Sequence, residues 1–298
     1  MSTAATTRRS RGGHGRWAVF FLAPSFLPLA LFTFFPMAKS VWMSLHNWNL
    51  ISAPTWVGVE NYKRLLSDSA TIQAFWHTLL YVLGYLPLVY CGGLALALVL
   101  NTRLPARGLL RAVYFLPVIT SWVVVALVWK WILNPSSGVV NTALGALGLP
   151  EPGWWTDPHW AMASVILASA WKDLGFVMVI LLAGLQGIPG ELYEAARIDG
   201  ATWWARLRYI TVPLLTPSTF FVVVISLING FQVFDQVFVM TGGGPQGASQ
   251  VVVGQIYDLT FRYGRAGEAA ALSWLLFGVI LTITLIQMWG QRKWVHHA

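Results

Sequence analysis

The sequence predicts an all-α integral membrane protein with six transmembrane helices and both termini cytoplasmic. Three observations carry that expectation. Hydrophobic residues fill 56% of the 298 positions and charged residues only 10%, with a mean hydropathy of +0.62. That lies far outside soluble domains, which need a charged skin around their core. Six apolar stretches approach the roughly 20 residues with which a helix crosses the hydrocarbon core of a bilayer. Lys and Arg fall in short clusters between these stretches, unequally on alternate sides.

The first span covers about residues 17–35, uncharged between Arg16 and Lys39. The second covers 75–100 and the third 112–133. The fourth, 160–185, is interrupted by Lys172 and Asp173, and the fifth, 213–240, contains Asp235. The sixth, 268–290, ends before Arg292 and Lys293. A basic tail (1–16) and a short second tail (291–298) flank the 17–290 domain. Arg8 and Arg9 before an apolar run also suit a signal peptide. The run is longer than such a segment requires, and no small-residue cleavage site follows Phe35 and Pro36, so an uncleaved first helix is expected.

Cations set the orientation, because cytoplasmic connections carry the excess of Lys and Arg. One side collects Arg8, Arg9, Arg11, Arg16, Arg103, Arg107, Arg111, Arg197, Arg206, Arg208, Arg292 and Lys293, twelve in all. The other has five: Lys39, Lys63, Arg64, Arg262 and Arg265. The formal charge of +8 is therefore scattered around membrane spans, and no contiguous basic face for nucleic acid is formed. The single Cys91 lies in an apolar run and can form no intrachain disulfide. His296 and His297 read as a terminal tail rather than a metal site. Pro, Gly and Trp in the outer loops, at Trp56 to Gly58, Asn134 to Gly138 and Gly242 to Pro245, favour defined turns.

The connection 188–212 is a polar island between two apolar runs. Pro189 suits a helix start, since the first helical position needs no N–H donor. Glu191 and Glu194 then favour the N-terminal end of the helix dipole. Asp199 and Gly200 stop the helix, glycine tolerating left-handed geometry. A second short helix from Ala201 to about Arg208 would put Trp203, Trp204, Leu207 and Ile210 on one face. From physics alone, that element either docks a partner or lies in the headgroups.

Glu194-Ala195-Ala196, Asp199-Gly200-Ala201 and Ile210-x-Val212-Pro213 resemble, in sequence and spacing, the EAA signature of ATP-binding-cassette (ABC) importer permeases. Leu207 replaces the usual Phe and Val212 the usual Leu. Residues 182–189, Phe234-Asp235 and Met240 to Pro245 resemble the carbohydrate-uptake subgroup of maltose and glycerol-phosphate type. The resemblance spans roughly 17–290 and implies a type I ABC importer permease fold. It further implies that the 188–212 loop, through Glu194, Ala195, Ala196, Asp199, Gly200, Ala201, Trp203 and Leu207, forms a coupling helix seated in a cytoplasmic ATPase. The partners so implied are a second permease subunit in a heterodimer, two ATPase subunits and an extracytoplasmic solute-binding protein, with a sugar-like substrate. The expected location is a prokaryotic inner membrane, with lipid around the bundle. The sequence has no Gly-x-x-x-x-Gly-Lys-Ser/Thr phosphate loop. The chain is thus expected to be a transport subunit without catalytic residues, binding no cofactor, with ATP and Mg on the separate ATPase.

Polar residues inside spans are costly and face a cavity or a partner helix. Asn229, Gln232 and Gln236 recur at helical spacing with Asp235 beside them, which suits a substrate pathway or interhelical hydrogen bonding. Lys172 and Asp173, adjacent in sequence, point apart and need different partners. Trp171 offers a flat face for a sugar ring, and Lys130 reads as snorkelling to the outer interface. An ion-coupled secondary transporter or channel is the alternative, but it predicts inverted repeats with broken helices and gives the 188–212 motif no purpose.

Overall fold

The computed structural model describes residues 14–102 and 104–294, with side chains described over 21–102 and 104–291. Arg8, Arg9, Arg11, Arg103, His296 and His297 lie outside the described residues, as do the side chains of Arg16, Arg292 and Lys293.

Helix α1 (His14–Leu29) passes through one π-turn (Ala30–Phe34) into α2 (Phe35–Ser44). The turn lies between Pro28 and Pro36, whose rings remove backbone donors from the ladder. The helix therefore runs beyond residue 35 to Ser44. Its apolar side chains are exposed, Phe32 by 80%. A hairpin of β1 (His46–Asn47) and β2 (Thr55–Trp56) follows, with His46 opposite Trp56. Helix α3 (Glu60–Ser67) is anchored by buried Asn61, whose Nδ2 donates to the carbonyls of Ser44 and His46 at 2.9 Å each.

Helix α4 (Ser69–Leu100) starts at Asp68, whose carboxylate accepts from the amides of Ala70 and Thr71, filling two orphan donors. Tyr81, Tyr85, Val89, Gly93, Ala97 and Leu100 are buried at spacings of three and four, one helix face. The chain continues through α5 (Arg107–Ile119), α6 (Trp122–Ile132) and α7 (Val139–Ala146) to α8 (Pro158–Gln186). Asp157 caps α8, with Pro158 in its first turn. The core lies where α4 and α8 pack together. Lipid supplies no hydrophobic drive between helices, so small residues let backbones approach. A Cβ on Gly93 would come within 2.5 Å of Val177 Cγ1, and one on Gly175 would run into the Tyr114 carbonyl.

Two expected spans are broken. Helices α5 and α6 meet at 102°, because Thr120 and Ser121 take extended backbone, with ψ of 142° and 140°. The 188–212 connection forms α9 (Gly190–Ile198), α10 (Trp203–Arg206), a π-turn (Leu207–Thr211) and α11 (Val212–Leu214). It then bends by 66° into α12 (Thr216–Phe231). That helix ends at Gln232 and restarts as α13 (Asp235–Met240), since Phe234 has φ −149° and ψ −64°. The expected continuous helix over 213–240 is therefore three pieces. Helix α14 (Val252–Tyr257) and a π-turn (Asp258–Arg262) lead to α15 (Ala266–Trp294). Among the described residues, four helices are long and apolar enough to cross a membrane, or up to six if each bent pair counts as one span.

The connections segregate to two ends. At one, Gln186 lies between α5 and the 188–212 loop; with its amide oxygen turned toward them it accepts from Arg107 Nη2 at 3.2 Å and Arg111 Nη2 at 2.9 Å. Asn101 and Thr102 line a cavity there with Glu194 and Trp203. At the other end, the Gly267 amide donates to the Trp48 carbonyl at 3.1 Å. There Glu268 meets Arg64 and Arg265, each at 3.4 Å.

Candidate functional site

Two features could carry function: an exposed helix at one end of the bundle and a polar cavity within it. Helix α9 buries none of its residues. Its C-terminus is a Schellman turn: the Gly200 amide donates to the Arg197 carbonyl at 3.1 Å and the Ala201 amide to the Ala196 carbonyl at 2.8 Å. Gly200 supplies the required positive φ, +76°. Thr202 starts the next helix, its Oγ1 accepting from the Ala205 amide at 3.3 Å. The expected breaking role of Asp199-Gly200 is therefore seen atom by atom, while Pro189 stands one position before the helix rather than within it.

Around this turn exposed apolar side chains stand beside the exposed Arg197 and Asp199. Ile198 is 87% exposed and Trp204 71%, and Trp203 meets Trp204 edge-on at 4.5 Å. Exposed apolar groups gathered in this way suit a partner or the lipid headgroups. Behind it, Glu194, Arg197, Arg206 and Leu207 line a cavity of about 630 Å³. Tyr193 Oη and Thr211 Oγ1, 3.0 Å apart, tie α9 to the π-turn beneath. The loop is thus a braced element rather than a slack linker.

The second cavity, about 310 Å³, forms where the broken span meets α4 and α8. Asn229, Gln232, Asp235 and Gln236 line it, as does Asp173. Uncoiling at Gln232 to Phe234 brings these side chains together; on a straight helix Asp235 would sit off the stripe. Asn229, Gln232 and Asp235 are exposed, whereas Gln236 is buried and donates to Tyr81 Oη at 3.2 Å and Ser169 Oγ at 3.4 Å. Gln236 therefore chiefly joins helices, the bonding alternative to pathway lining. Tyr81, Tyr85 and Trp122 complete the wall. The two tyrosine rings stack at 5.4 Å, and Tyr85 Oη donates to Asp173 Oδ2 at 2.7 Å.

Lys172 and Asp173 do take different partners. Lys172 Nζ donates to the Val118 carbonyl at 2.9 Å and lies 4.5 Å from the centre of the Trp122 ring. This carbonyl belongs to the last turn of α5, where a cation is favoured by the helix dipole. Trp171, expected as a sugar platform, instead packs edge-on against Trp129 at 5.8 Å and is not in the cavity wall. Trp122 is the indole that lines it. Lys130 Nζ lies 3.5 Å from the Val239 carbonyl and 4.6 Å from the Trp155 ring. No cluster of three or more His, Cys, Asp or Glu able to hold a metal occurs among the described residues.

Residues 89–293 match the family described as binding-protein-dependent transport system inner membrane component. The chain belongs to that family. Among relatives, this permease is 37% identical over 273 residues to the probable ABC transporter permease protein YurN of Bacillus subtilis, covering 90% of this chain and 93% of that one. It is 35% identical over 275 residues to the trehalose/maltose transport system permease protein MalF of Thermococcus litoralis, covering 90% of each. A crystal structure of a bacterial alginate ABC transporter, in complex with an alginate pentasaccharide-bound periplasmic protein, superposes with a TM-score of 0.81 at 26% identity, over 94% of this chain and 96% of that one. The permease has the type I ABC importer fold, is a multi-pass membrane protein, and is a transport subunit rather than a catalytic one.

Proposed function

We propose that this permease is one transmembrane subunit of an ATP-driven importer for a sugar or related polyol, fed by an extracytoplasmic solute-binding protein. The trehalose/maltose permease among its relatives supports the substrate class, and the alginate transporter supports carbohydrate import more broadly. In this reading each bent pair is one span, giving six. Both termini, the 101–111 connection and the 188–212 loop face the cytoplasm of a prokaryotic inner membrane. Glu194, Ala195, Ala196, Asp199, Gly200, Ala201, Trp203 and Leu207 dock one of two ATPase subunits, which bring ATP and Mg. A second permease subunit completes the pathway, to which this chain contributes Asn229, Gln232, Asp235 and Asp173.

One observation carries the reading: α8 joins both features. Asp173 in the cavity wall and Gln186 beside the exposed loop lie on one uninterrupted helix, about 20 Å apart at 1.5 Å per residue. Motion imposed on the loop reaches the cavity through a rigid rod. The subunit makes no bond; it changes which of two states is favoured, and partner closure supplies the difference.

Reconstitution with the ATPase, the second permease and the binding protein tests this. Solute uptake should require ATP and be stimulated by the binding protein. Uptake that survives ATP depletion on a proton gradient, with no ATPase co-purifying, would overturn it.

A further inference from the structure

The charge of the 310 Å³ cavity bears on which solutes it admits. Its acidic lining is Asp173 and Asp235, and its amide groups belong to Asn229, Gln232 and Gln236. Among the described residues, none that this chain gives the lining is cationic. The nearby cation, Lys172, is buried and committed to the Val118 carbonyl and the Trp122 ring. An ionised carboxylate only accepts hydrogen bonds. It therefore suits the hydroxyl donors of a polyol and opposes phosphate, sulfate or uronate groups. Asp235 is exposed, whereas Asp173 already accepts from the Tyr85 hydroxyl, so the wall carries two separate carboxyl groups. Moving an anion out of water with no cationic partner is costly.

We infer that the cavity selects uncharged polyhydroxylated solutes and rejects anionic sugars, with Asp173 and Asp235 as the charge filter. The inference rests on reading this cavity as the transport site. It narrows the substrate class, because composition and motif fit glycerol phosphates as well as neutral sugars.

The electrostatics can be measured without knowing the solute. In the complete transporter, with Cys91→Ser removing the exposed native thiol, Asn229→Cys puts a thiol in the cavity wall. Its reaction rates with the cationic reagent MTSET and the anionic reagent MTSES are each normalised to an uncharged methanethiosulfonate, which cancels changes in thiol ionisation. Relative to a free thiol, the cation-to-anion ratio should rise about tenfold or more at low salt, equivalent to about 1.4 kcal/mol. It should collapse as ionic strength grows, and fall to within about threefold of the free thiol in Asp173→Asn/Asp235→Asn. A free-thiol ratio in the starting protein, or one the double substitution leaves unchanged, overturns the filter. The transport-site reading fails separately if full modification of that thiol leaves binding-protein-stimulated ATP hydrolysis and uptake intact.

Discussion

Gly200 lets one backbone angle be converted into a docking affinity. Its φ of +76° is open to glycine and costs an L-residue about 1–2 kcal/mol. A Cβ built there meets nothing within 4 Å, so any penalty is conformational and packing adds none. Gly200→Asn should cost least, since Asn visits this region most readily of the three. Gly200→Ala should cost about 1 kcal/mol, and β-branched Gly200→Val about 2 kcal/mol. If the turn presents α9 to the ATPase and is a minor state of the free loop, the docking-competent fraction falls by the same amounts, and the apparent affinity falls with it. That predicts about fivefold weaker ATPase binding for Ala and about thirtyfold for Val, with membrane insertion intact. Titrating the ATPase onto permease in nanodiscs reads the affinity, and stimulated ATP hydrolysis reads the coupling. Wild-type affinity in Gly200→Val, or a larger loss for Ala than for Val, would refute the reasoning.

Other substitutions probe the frame and the wall. Lys172→Met strands the Val118 carbonyl at the break between α5 and α6 and should cost about 1–3 kcal/mol, seen as a lower melting temperature of the purified complex. Gly175→Ala drives a Cβ into the Tyr114 carbonyl and should destabilise by about 1–3 kcal/mol through overpacking; Gly108→Ala, whose Cβ would meet nothing within 4 Å, is the control in the same melting assay. Thr202→Ala removes the cap on the Ala205 amide and should cost about 1 kcal/mol locally, read as faster hydrogen exchange there. Gln232→Ala should raise the solute concentration for half-maximal uptake without weakening subunit assembly; unchanged uptake would remove Gln232 from the pathway.

The legible parts of the chain are those where composition changes abruptly. Apolar runs give the spans because crossing lipid demands them, and the 188–212 island stands out for its Glu, Asp and Gly. Gly200 could be assigned its turn in advance because few other residues fit it. The breaks at Thr120 to Ser121 and Gln232 to Phe234 were hidden, since the polar residues there fit a stripe on a continuous helix and neither bend carries a proline. Pro117, the natural marker for the first, sits inside α5 rather than at the bend. In the cavity, Asp173, Asn229, Gln232 and Asp235 were visible as polar residues among apolar ones. Tyr81, Tyr85 and Trp122 were missed because aromatic residues count as apolar in a span. The four-residue spacing of the tyrosines, with their hydroxyls, was the available signal. Trp171 misled for the converse reason: its direction depends on where Trp129 packs, which local sequence does not encode.

Lys172 and Asp173 are successive residues on one rigid helix, so their side chains leave it about 100° apart. One is fastened to the last turn of α5, the other to the Tyr85 hydroxyl on α4. A turn of α8 about its axis loads both fastenings at once, since each bond weakens as its distance and angle depart from the favoured range. In the importer proposed above, turning α8 would have to release both bonds together, so the pair would favour the state described here until a partner supplied the difference.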